Sequence, residues 1–174
     1  GDWNTPAVDN WTAQLKSDIQ TNIFTSLQLT PDFVINNLEG TGSFQYDYAN
    51  GAGAGYGSVA GALLNVSAEM KVNFDNPSTG ITAGHVTVLT ANEQSWHSHF
   101  TGSFQGNSVT LTPEAGSFTI GGTNNAGSTS FGGAFTGNTA GGFVGAFEMI
   151  DAVDNQNFVQ GAFTLGKGSS LSVD

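Results

Sequence analysis

The sequence predicts a mainly β fold, an antiparallel up-and-down barrel of about eight strands with a short helical segment before it. Three observations lead to this prediction. From Gly42 onward apolar and polar residues alternate with a period of two, turn-forming residues separate most of the alternating runs, and no helical pattern interrupts them. We therefore divide the 174 residues into an N-terminal helical segment, 1–40, that packs on the barrel or on a neighbouring molecule, and a barrel domain, 41–174.

Two helices are predicted in the N-terminal segment. The first rests on apolar residues that recur every three or four positions and form one stripe: Val8, Trp11, Leu15, Ile19, Ile23 and Leu27. The second is a short helix over Pro31 to Leu38. Thr30 can accept a hydrogen bond from the free amides of its first turn, and Pro31 loses no hydrogen bond at the first helical position. Gly40 can end this helix in a left-handed conformation.

The clearest strand runs from Leu64 to Phe74, where apolar residues alternate with polar ones and separate a dry face from a wet face. Other alternating or β-rich runs are predicted as strands over 44–48, 81–90, 96–104, 109–111, 116–120, 131–135, 143–150 and 159–165. The low-complexity stretch YANGAGAGYGSVAG, between the first two strands, is predicted to be a flexible loop.

Consecutive antiparallel strands can form a sandwich or a closed barrel, and closure removes the exposed edges. We favour the barrel because glycines alternate with large residues on one face of the last strands, as in Phe143, Gly145 and Phe147. Alternating large and small side chains fill a small, tapering interior, although glycines also mark bends and bulges. An eight-stranded barrel can be filled by its own side chains, so the pattern does not imply a ligand cavity.

The composition excludes several classes of partner. Fourteen acids stand against three lysines, and the net charge is -11. Nucleic acid and anionic membrane surfaces are therefore not expected partners, because both need clustered Lys and Arg. The sequence has neither a visible signal peptide nor a run of about 20 apolar residues that would form a transmembrane helix. We interpret it as a mature or excised chain with no transmembrane segment.

All three histidines lie within the stretch GHVTVLTANEQSWHSHF. If the two strands in this stretch form a hairpin, burial of the apolar residues requires Val88 to pair with Trp96 across a three-residue loop. His85 then faces His99 directly, with Cβ atoms about 4.5–5.5 Å apart, and His97 lies two residues along on the same face. We therefore predict that the three imidazoles share one side of one hairpin.

Converging imidazoles indicate a candidate ligand site. Three neutral imidazoles can bind zinc, copper or nickel, and one can serve as an axial ligand of haem. His85, His97 and His99 are therefore the candidate ligand-binding and metal-binding residues, with Glu93 as the acidic neighbour that the sequence offers. Two alternatives stay open. The histidines are ordinary polar residues on a solvent-facing side, or they form a patch that becomes charged below about pH 6.5.

A second candidate metal site lies in the stretch DAVDNQN. Asp151 and Asp154, together with Asn155, can coordinate calcium through oxygen atoms, although the stretch lacks the glycine and the ligand spacing of an EF-hand loop. An Asx-rich hairpin turn is the alternative interpretation.

Motifs that mark common enzyme classes do not occur in the sequence. We find no nucleophile elbow, no phosphate-binding glycine loop and no H-E-x-x-H helix. The stretch GAGAGYG has glycines but no βαβ pattern around it, and the chain has no cysteine for thiol catalysis or disulfides. We therefore predict that the protein is not an enzyme.

The stretch FGGAFTGNTAGGFVGAFEMIDAVDNQNFVQGAFTLGK resembles the end of the β-barrel domain of the transferrin-binding protein B family of Gram-negative surface lipoproteins. The stretches GSFQYDY, VNFDNPSTG and SWHSHFTGSFQG fit the same barrel, and they are also similar to barrel segments that follow FecR-like domains. The likeness spans roughly residues 40–167 and rests on glycine and aromatic spacings. It implies a surface or secreted protein whose relatives bind host iron proteins, haem or other partners through loops. The chain lacks a lipobox cysteine and a large handle domain, so transferrin binding itself does not carry over.

These features together predict a non-catalytic extracellular or cell-surface module that binds a protein or a small ligand. Haem or a transition metal is the cofactor that the histidines suggest. The alternative is a structural or adhesive subunit of a self-assembling extracellular polymer, whose partners are copies of itself. In that case the N-terminal segment completes the sheet of a neighbour. Either function places the protein outside the cell or on the outer-membrane surface.

Overall fold

The computed structural model describes residues 28–48, 54–57 and 59–171, and the helix predicted over Val8 to Leu27 lies outside them. The described residues form one α-helix, α1 (Asp32–Asn37), and eleven strands: β1 (Ser43–Tyr48), β2 (Ala54–Gly57), β3 (Leu63–Asn73), β4 (Ile81–Thr90), β5 (Ser95–Gln105), β6 (Ser108–Pro113), β7 (Thr119–Ile120), β8 (Thr123–Asn124), β9 (Ser128–Thr136), β10 (Gly142–Ile150) and β11 (Phe158–Leu171). A 3-10 turn (Pro77–Thr79) precedes β4. The predicted mainly β, antiparallel architecture is confirmed.

The strands form one antiparallel sheet in the order β8-β7-β5-β4-β3-β1-β11-β10-β9. β6 shares the outer edge of β5 with β7, and β2 shares one edge of β11 with β1. The sheet coils until β6 lies beside β9, but no hydrogen-bonded ladder joins these two strands in the described part of the chain. We call this gap the seam. The sheet thus has eleven strands and is open, where the sequence predicts about eight strands and closure.

One end of the seam is bridged by residues 28–32, which we call the clasp. On one side, the backbone N–H of Thr30 donates to the carbonyl oxygen of Phe135 in β9, at 2.9 Å. On the other side, Oδ1 of Asp32 accepts a hydrogen bond from the backbone N–H of Asn107, in the turn between β5 and β6, at 2.8 Å. The Asn107 side chain also donates to the Thr30 carbonyl oxygen, at 3.0 Å. The clasp therefore connects the two edges that do not pair with each other.

Helix α1 lies within the predicted range but is capped differently. Gly40 adopts the predicted left-handed conformation, with φ +94°. Thr30 does not cap the helix, because its hydroxyl donates to the carbonyl oxygen of Gly137 at 2.8 Å. The capping prediction for Thr30 is wrong because the pairing of the clasp with β9 takes precedence over a local hydrogen bond.

The interior of the coiled sheet is filled by aromatic side chains. The ring centroid of Phe135 lies 5.6 Å from that of Phe74, 5.5 Å from that of Phe104 and 5.3 Å from that of Phe143. Each of these rings is at most 5% exposed. Tilted and edge-on aromatic pairs at such separations add to the stabilisation from burial.

Glycines on the inner face make room for the rings. Gly145 pairs directly with Phe163, and a methyl group on Gly145 would lie 2.0 Å from the Phe163 ring. Gly84 pairs with Phe100 in the same way, with a corresponding distance of 2.3 Å. The predicted alternation of large and small residues therefore fills the interior as expected: the rings of Phe163 and Phe100 lie over the glycines that pair with them.

The glycine-rich stretch is not a flexible loop over 54–57. These residues form β2, which pairs with β11 through Tyr56 opposite Gln160 and Gly57 opposite Val159. A methyl group on Gly57 would lie 2.7 Å from the carbonyl oxygen of Gly61, so the backbone here packs closely against the next turn. The loop prediction is wrong because backbone pairing with β11 holds this strand, and its sequence lacks the alternation of polar and apolar side chains that indicates a strand.

The two halves of the sheet differ in how they meet solvent. β10 is buried on both faces, with Phe143 at 0% exposed on the inner face and Val144 and Ala146 at no more than 1% exposed on the other. On this second face Oε2 of Glu148 accepts a hydrogen bond from Nε2 of Gln160, at 2.6 Å. β3, β4 and β5 instead have one buried face and one partly exposed, polar face. The candidate site lies on that polar face.

Candidate functional site

The hairpin of β4 and β5 has the predicted register. Val88 pairs with Trp96, and both side chains are fully buried on the inner face. His85 pairs with His99 as predicted, because the side chains on either side of the buried positions must point outward. Glu93 lies in the connecting turn with a positive φ of 67°.

The three imidazoles meet on the outer side of this hairpin. The ring centroids of His97 and His99 are 4.7 Å apart, and those of His85 lie 5.6 Å from His97 and 5.9 Å from His99. The closest approach is 3.0 Å, between Nε2 of His97 and Nε2 of His99. The sequence prediction that all three share one side of one hairpin is confirmed. Together with the neighbouring side chains of Glu69 and Thr87, they form what we call the histidine face.

The acidic neighbour of the histidines is Glu69 of β3, not Glu93. Glu69 pairs with His85, and its Oε1 lies 2.9 Å from Nε2 of His85. A bulge interrupts the pairing of β4 just beyond this point, where Ala83 has a positive φ of 51°. Glu69 lies on the wet face of the clearest strand in the sequence. Its contact with His85 was missed because the register between β3 and β4 depends on this bulge.

Thr87 orients the central imidazole. Its Oγ1 lies 2.7 Å from Nδ1 of His97, which leaves Nε2 of that ring facing His99. Burial, and next the charges of His99 and His85, lower the pKa of His97 below its usual value. The neutral form of His97 is therefore favoured near neutral pH, and a neutral imidazole keeps one lone pair for a ligand.

His85 has a buried ring nitrogen with no hydrogen-bond partner. Its Nε2 is engaged by Glu69, while its Nδ1 is buried and unpaired. Donation from Nε2 to the carboxylate makes Nδ1 the acceptor of the neutral ring. Nearly all buried polar atoms in proteins have a partner, and exceptions commonly mark a water or an ion that completes the site.

In the present orientations of the three rings, their nitrogen atoms do not all point to one common position. Across the residues that the structure describes, no group of three or more His, Cys, Asp or Glu side chains is arranged to hold a metal ion. The pair of His97 and His99 already brings two nitrogen donors together, while Nε2 of His85 faces Glu69. The face therefore brings two imidazole nitrogens within 3.0 Å of each other, with a third imidazole beside them.

Asp151 and Asp154 lie in the turn between β10 and β11, where backbone and side-chain groups bond their carboxylates. Oδ1 of Asp151 accepts hydrogen bonds from Nδ2 of Asn125 at 2.8 Å and from the N–H of Val153 at 3.0 Å. These bonds, the one from Val153 first, lower the pKa of Asp151. Oδ1 of Asp154 accepts from the N–H of Gln156, at 3.0 Å. The geometry is that of the Asx-rich turn in the alternative interpretation.

A shallow groove of about 560 Å³ lies at the far end of β5, away from the histidines. It is lined by Pro77, Ser78, Ser103, Phe104, Gln105, Ser108 and Thr110. None of the residues predicted to bind a ligand lines it. Within the described ranges, no helix has both the length and the apolar character that crossing a membrane requires.

The fold is an open, coiled antiparallel sheet with an aromatic core, and it carries a histidine-rich patch on the outer face of β3, β4 and β5. A scan against protein-family models and a search of curated proteins found no match. Similarity to the transferrin-binding protein B family therefore stays a prediction from the sequence.

Proposed function

We propose that this protein is a non-catalytic binding module of the extracellular space or the outer-membrane surface, and that it binds its ligand, a small molecule or a protein, at the histidine face. One observation carries this proposal. Three imidazoles and one carboxylate lie side by side on three adjacent strands, each partly buried and supported from behind by a fully buried core. Such a patch is preorganised, because the rigid sheet fixes the backbone beneath each side chain.

The sequence supports the non-catalytic and extracellular parts of the proposal. Recognisable catalytic motifs do not occur in it, and its few charges and its many Gly, Asn, Ser and Thr residues resemble those of secreted bacterial proteins. The resemblance to the transferrin-binding protein B family points to the same location.

Native mass spectrometry of the gently purified chain tests the proposal. We expect a monomer of 17.9 kDa that carries additional bound mass. Replacing His85, His97 and His99 together by alanine should remove that mass. The matched control is Thr101→Ala, an exposed position on the same side of β5, which should keep it. Bound mass that persists in the triple variant would show that the ligand lies elsewhere.

The alternative function is a subunit of a self-assembling extracellular polymer, and one observation favours it. The clasp pairs with the edge of β9 through backbone hydrogen bonds, including one from the N–H of Gly137 to the carbonyl oxygen of Gln28 at 2.8 Å. The clasp of a neighbouring molecule can form the same bonds by strand addition. Light scattering behind size exclusion separates the two functions: a monomer favours the binding module, and a ladder of masses favours the polymer.

A further inference from the structure

We propose that the histidine face binds one divalent transition-metal ion, with the Nε2 atoms of His97 and His99 as a chelating pair and His85 as the third ligand. This inference rests on the proposed function, because it names the class of ligand for the same site. Three independent features of the described residues support it: the spacing of two nitrogens, the spacing of the three rings, and the unpaired nitrogen of His85.

The first feature is the distance between the two chelating nitrogens. Nε2 of His97 and Nε2 of His99 are 3.0 Å apart. Two imidazole nitrogens bound to one tetrahedral zinc ion at about 2.0–2.1 Å lie roughly 3.3 Å from each other. The separation of the two nitrogens is therefore within a few tenths of an ångström of the one that a bound ion requires. The ion takes the place of the N–H that one neutral ring donates to the other without it, and the donating ring then carries its proton on Nδ1 instead of Nε2.

The second feature is the arrangement of all three rings. Their centroids are separated by 4.7, 5.6 and 5.9 Å. Imidazoles bound to one tetrahedral ion through these nitrogen–metal distances have centroids roughly 5 Å apart. The rings of His85, His97 and His99 thus already have the spacing of a three-imidazole site, although His85 is turned toward Glu69.

The third feature is the unpaired nitrogen of His85. Its Nδ1 is buried and has no hydrogen-bond partner, while its Nε2 contacts Glu69. Rotation of this ring brings Nδ1, the nitrogen that carries the lone pair of the neutral ring, to the ion as its partner. Glu69 then remains beside the site as an anion that stabilises the added positive charge.

The donor set selects the class of metal. Imidazole nitrogen suits zinc, copper and nickel, whereas calcium and magnesium require oxygen ligands. The side chains paired with Thr87 and His97 from the neighbouring strands are the polar Ser67 and Thr119, and Leu89 is the apolar side chain on the same side of β4. A flat, apolar porphyrin would lie against these polar groups, so the face favours an ion over haem.

Thr87 is a positioning residue in this site. In the metal-bound form Nδ1–H of His97 donates to the Thr87 hydroxyl oxygen, 2.7 Å away, and the lone pair of that ring is on Nε2, where the ion binds. Loss of such an outer hydrogen bond typically weakens metal binding about 10–100-fold. Thr87→Val should have this effect, and Thr87→Ser, which keeps the hydroxyl, should restore binding.

Isothermal titration of the metal-stripped full chain with zinc chloride and with nickel chloride tests the proposal. We expect one ion per chain. His97→Ala and His99→Ala should each raise the Kd more than about 100-fold, which exceeds the effect of losing a hydrogen-bond partner of a ligand. His85→Ala should raise the Kd at least about tenfold. Thr101→Ala should bind as the parent does. Far-ultraviolet circular dichroism of each variant checks that the sheet is intact.

Binding of copper(II) gives a second readout that does not depend on affinity. Its electron paramagnetic resonance spectrum should show hyperfine coupling to imidazole nitrogens, and the coupling should be lost in a folded His97→Ala/His99→Ala variant. A parent chain that takes up no ion, or a double variant that keeps the parental Kd, overturns the proposal. If His85→Ala alone keeps the parental Kd, His85 is not the third ligand.

Failure of this inference is distinguishable from failure of the proposed function. If the parent binds no metal but native mass spectrometry finds another ligand that the triple alanine variant loses, the metal is wrong and the binding module stands. If the parent binds neither metal nor any other ligand at these residues, both proposals fail.

Discussion

Replacement of Gly145 by alanine tests whether the phenyl rings of the core require the glycines beneath them. The added methyl carbon would lie 2.0, 2.3 and 2.7 Å from three atoms of the Phe163 ring, where carbon atoms normally pack at about 3.5–4.0 Å. The ring must therefore move by about 1.5 Å, and Phe163 is fully buried. Overpacking of this kind typically costs about 1–3 kcal/mol, and three close contacts place Gly145→Ala in the upper half of that range.

Urea unfolding followed by tryptophan fluorescence measures this cost, and thermal unfolding should show a melting temperature lower by roughly 4–12 °C for a chain of this size. Gly141→Ala is the matched control. Its methyl group would meet only Oγ1 of Thr139, at an ordinary 3.7 Å, and we expect a change within about 0.5 kcal/mol.

A double variant separates the clash from a general intolerance of this strand to alanine. Phe163→Leu removes the ring atoms nearest the added methyl group, so the effects of Gly145→Ala and Phe163→Leu should be less than additive by at least about 0.5 kcal/mol. Strict additivity, or a Gly145→Ala variant as stable as the parent, would refute the packing argument.

Three further predictions concern buried or bridging groups. Tyr46→Phe leaves the carbonyl oxygen of Ala140 without the 2.6 Å hydrogen bond from the tyrosine hydroxyl, and we expect urea unfolding to show a loss of about 1–3 kcal/mol. Asp32→Ala removes the acceptor for the Asn107 N–H, and hydrogen exchange at that amide should become faster while the amides of β10 keep their protection. In metal-free buffer the stability of the parent should fall as the pH drops below about 6.5, because unfolded His97 binds a proton at its ordinary pKa while folded His97 resists it. His97→Gln should reduce this slope between pH 5 and pH 7, and a slope unchanged in the variant would contradict the origin we assign to it.

The sequence predicts the histidine hairpin in detail because one constraint dominates it. Val88 and Trp96 must both be buried, and a slip of one residue would expose them, so the apolar pattern fixes the pairing of His85 with His99. The same reasoning does not predict the contact between Glu69 and His85. The position of Glu69 opposite His85 depends on a bulge, and an extra residue in one strand leaves no mark in the alternation of β3.

The clasp and β2 were beyond prediction for a different reason. Both are held by backbone hydrogen bonds to strands far away in the sequence, as Thr30 is to Phe135 and Tyr56 is to Gln160. Backbone groups are the same at every position, so sequence patterns do not report such pairing. The open sheet was not predicted for the same reason. Closure requires a hydrogen-bonded ladder between β6 and β9, and side-chain patterns neither demand nor forbid such a ladder.

The unequal burial of the two halves of the sheet bears on how such a protein can change over generations. In β10 almost every side chain is enclosed on one face or the other, so most substitutions there disturb packing. In β3, β4 and β5 every second position is partly or fully exposed, so substitutions there disturb packing less and new chemistry can arise at lower cost to the fold. A saturation library scored for folding should therefore tolerate more substitutions at His85, His97 and His99 than at the buried positions of β10, with proline excluded because these residues lie in paired strands. A library scored for ligand binding should not tolerate substitutions at these three residues.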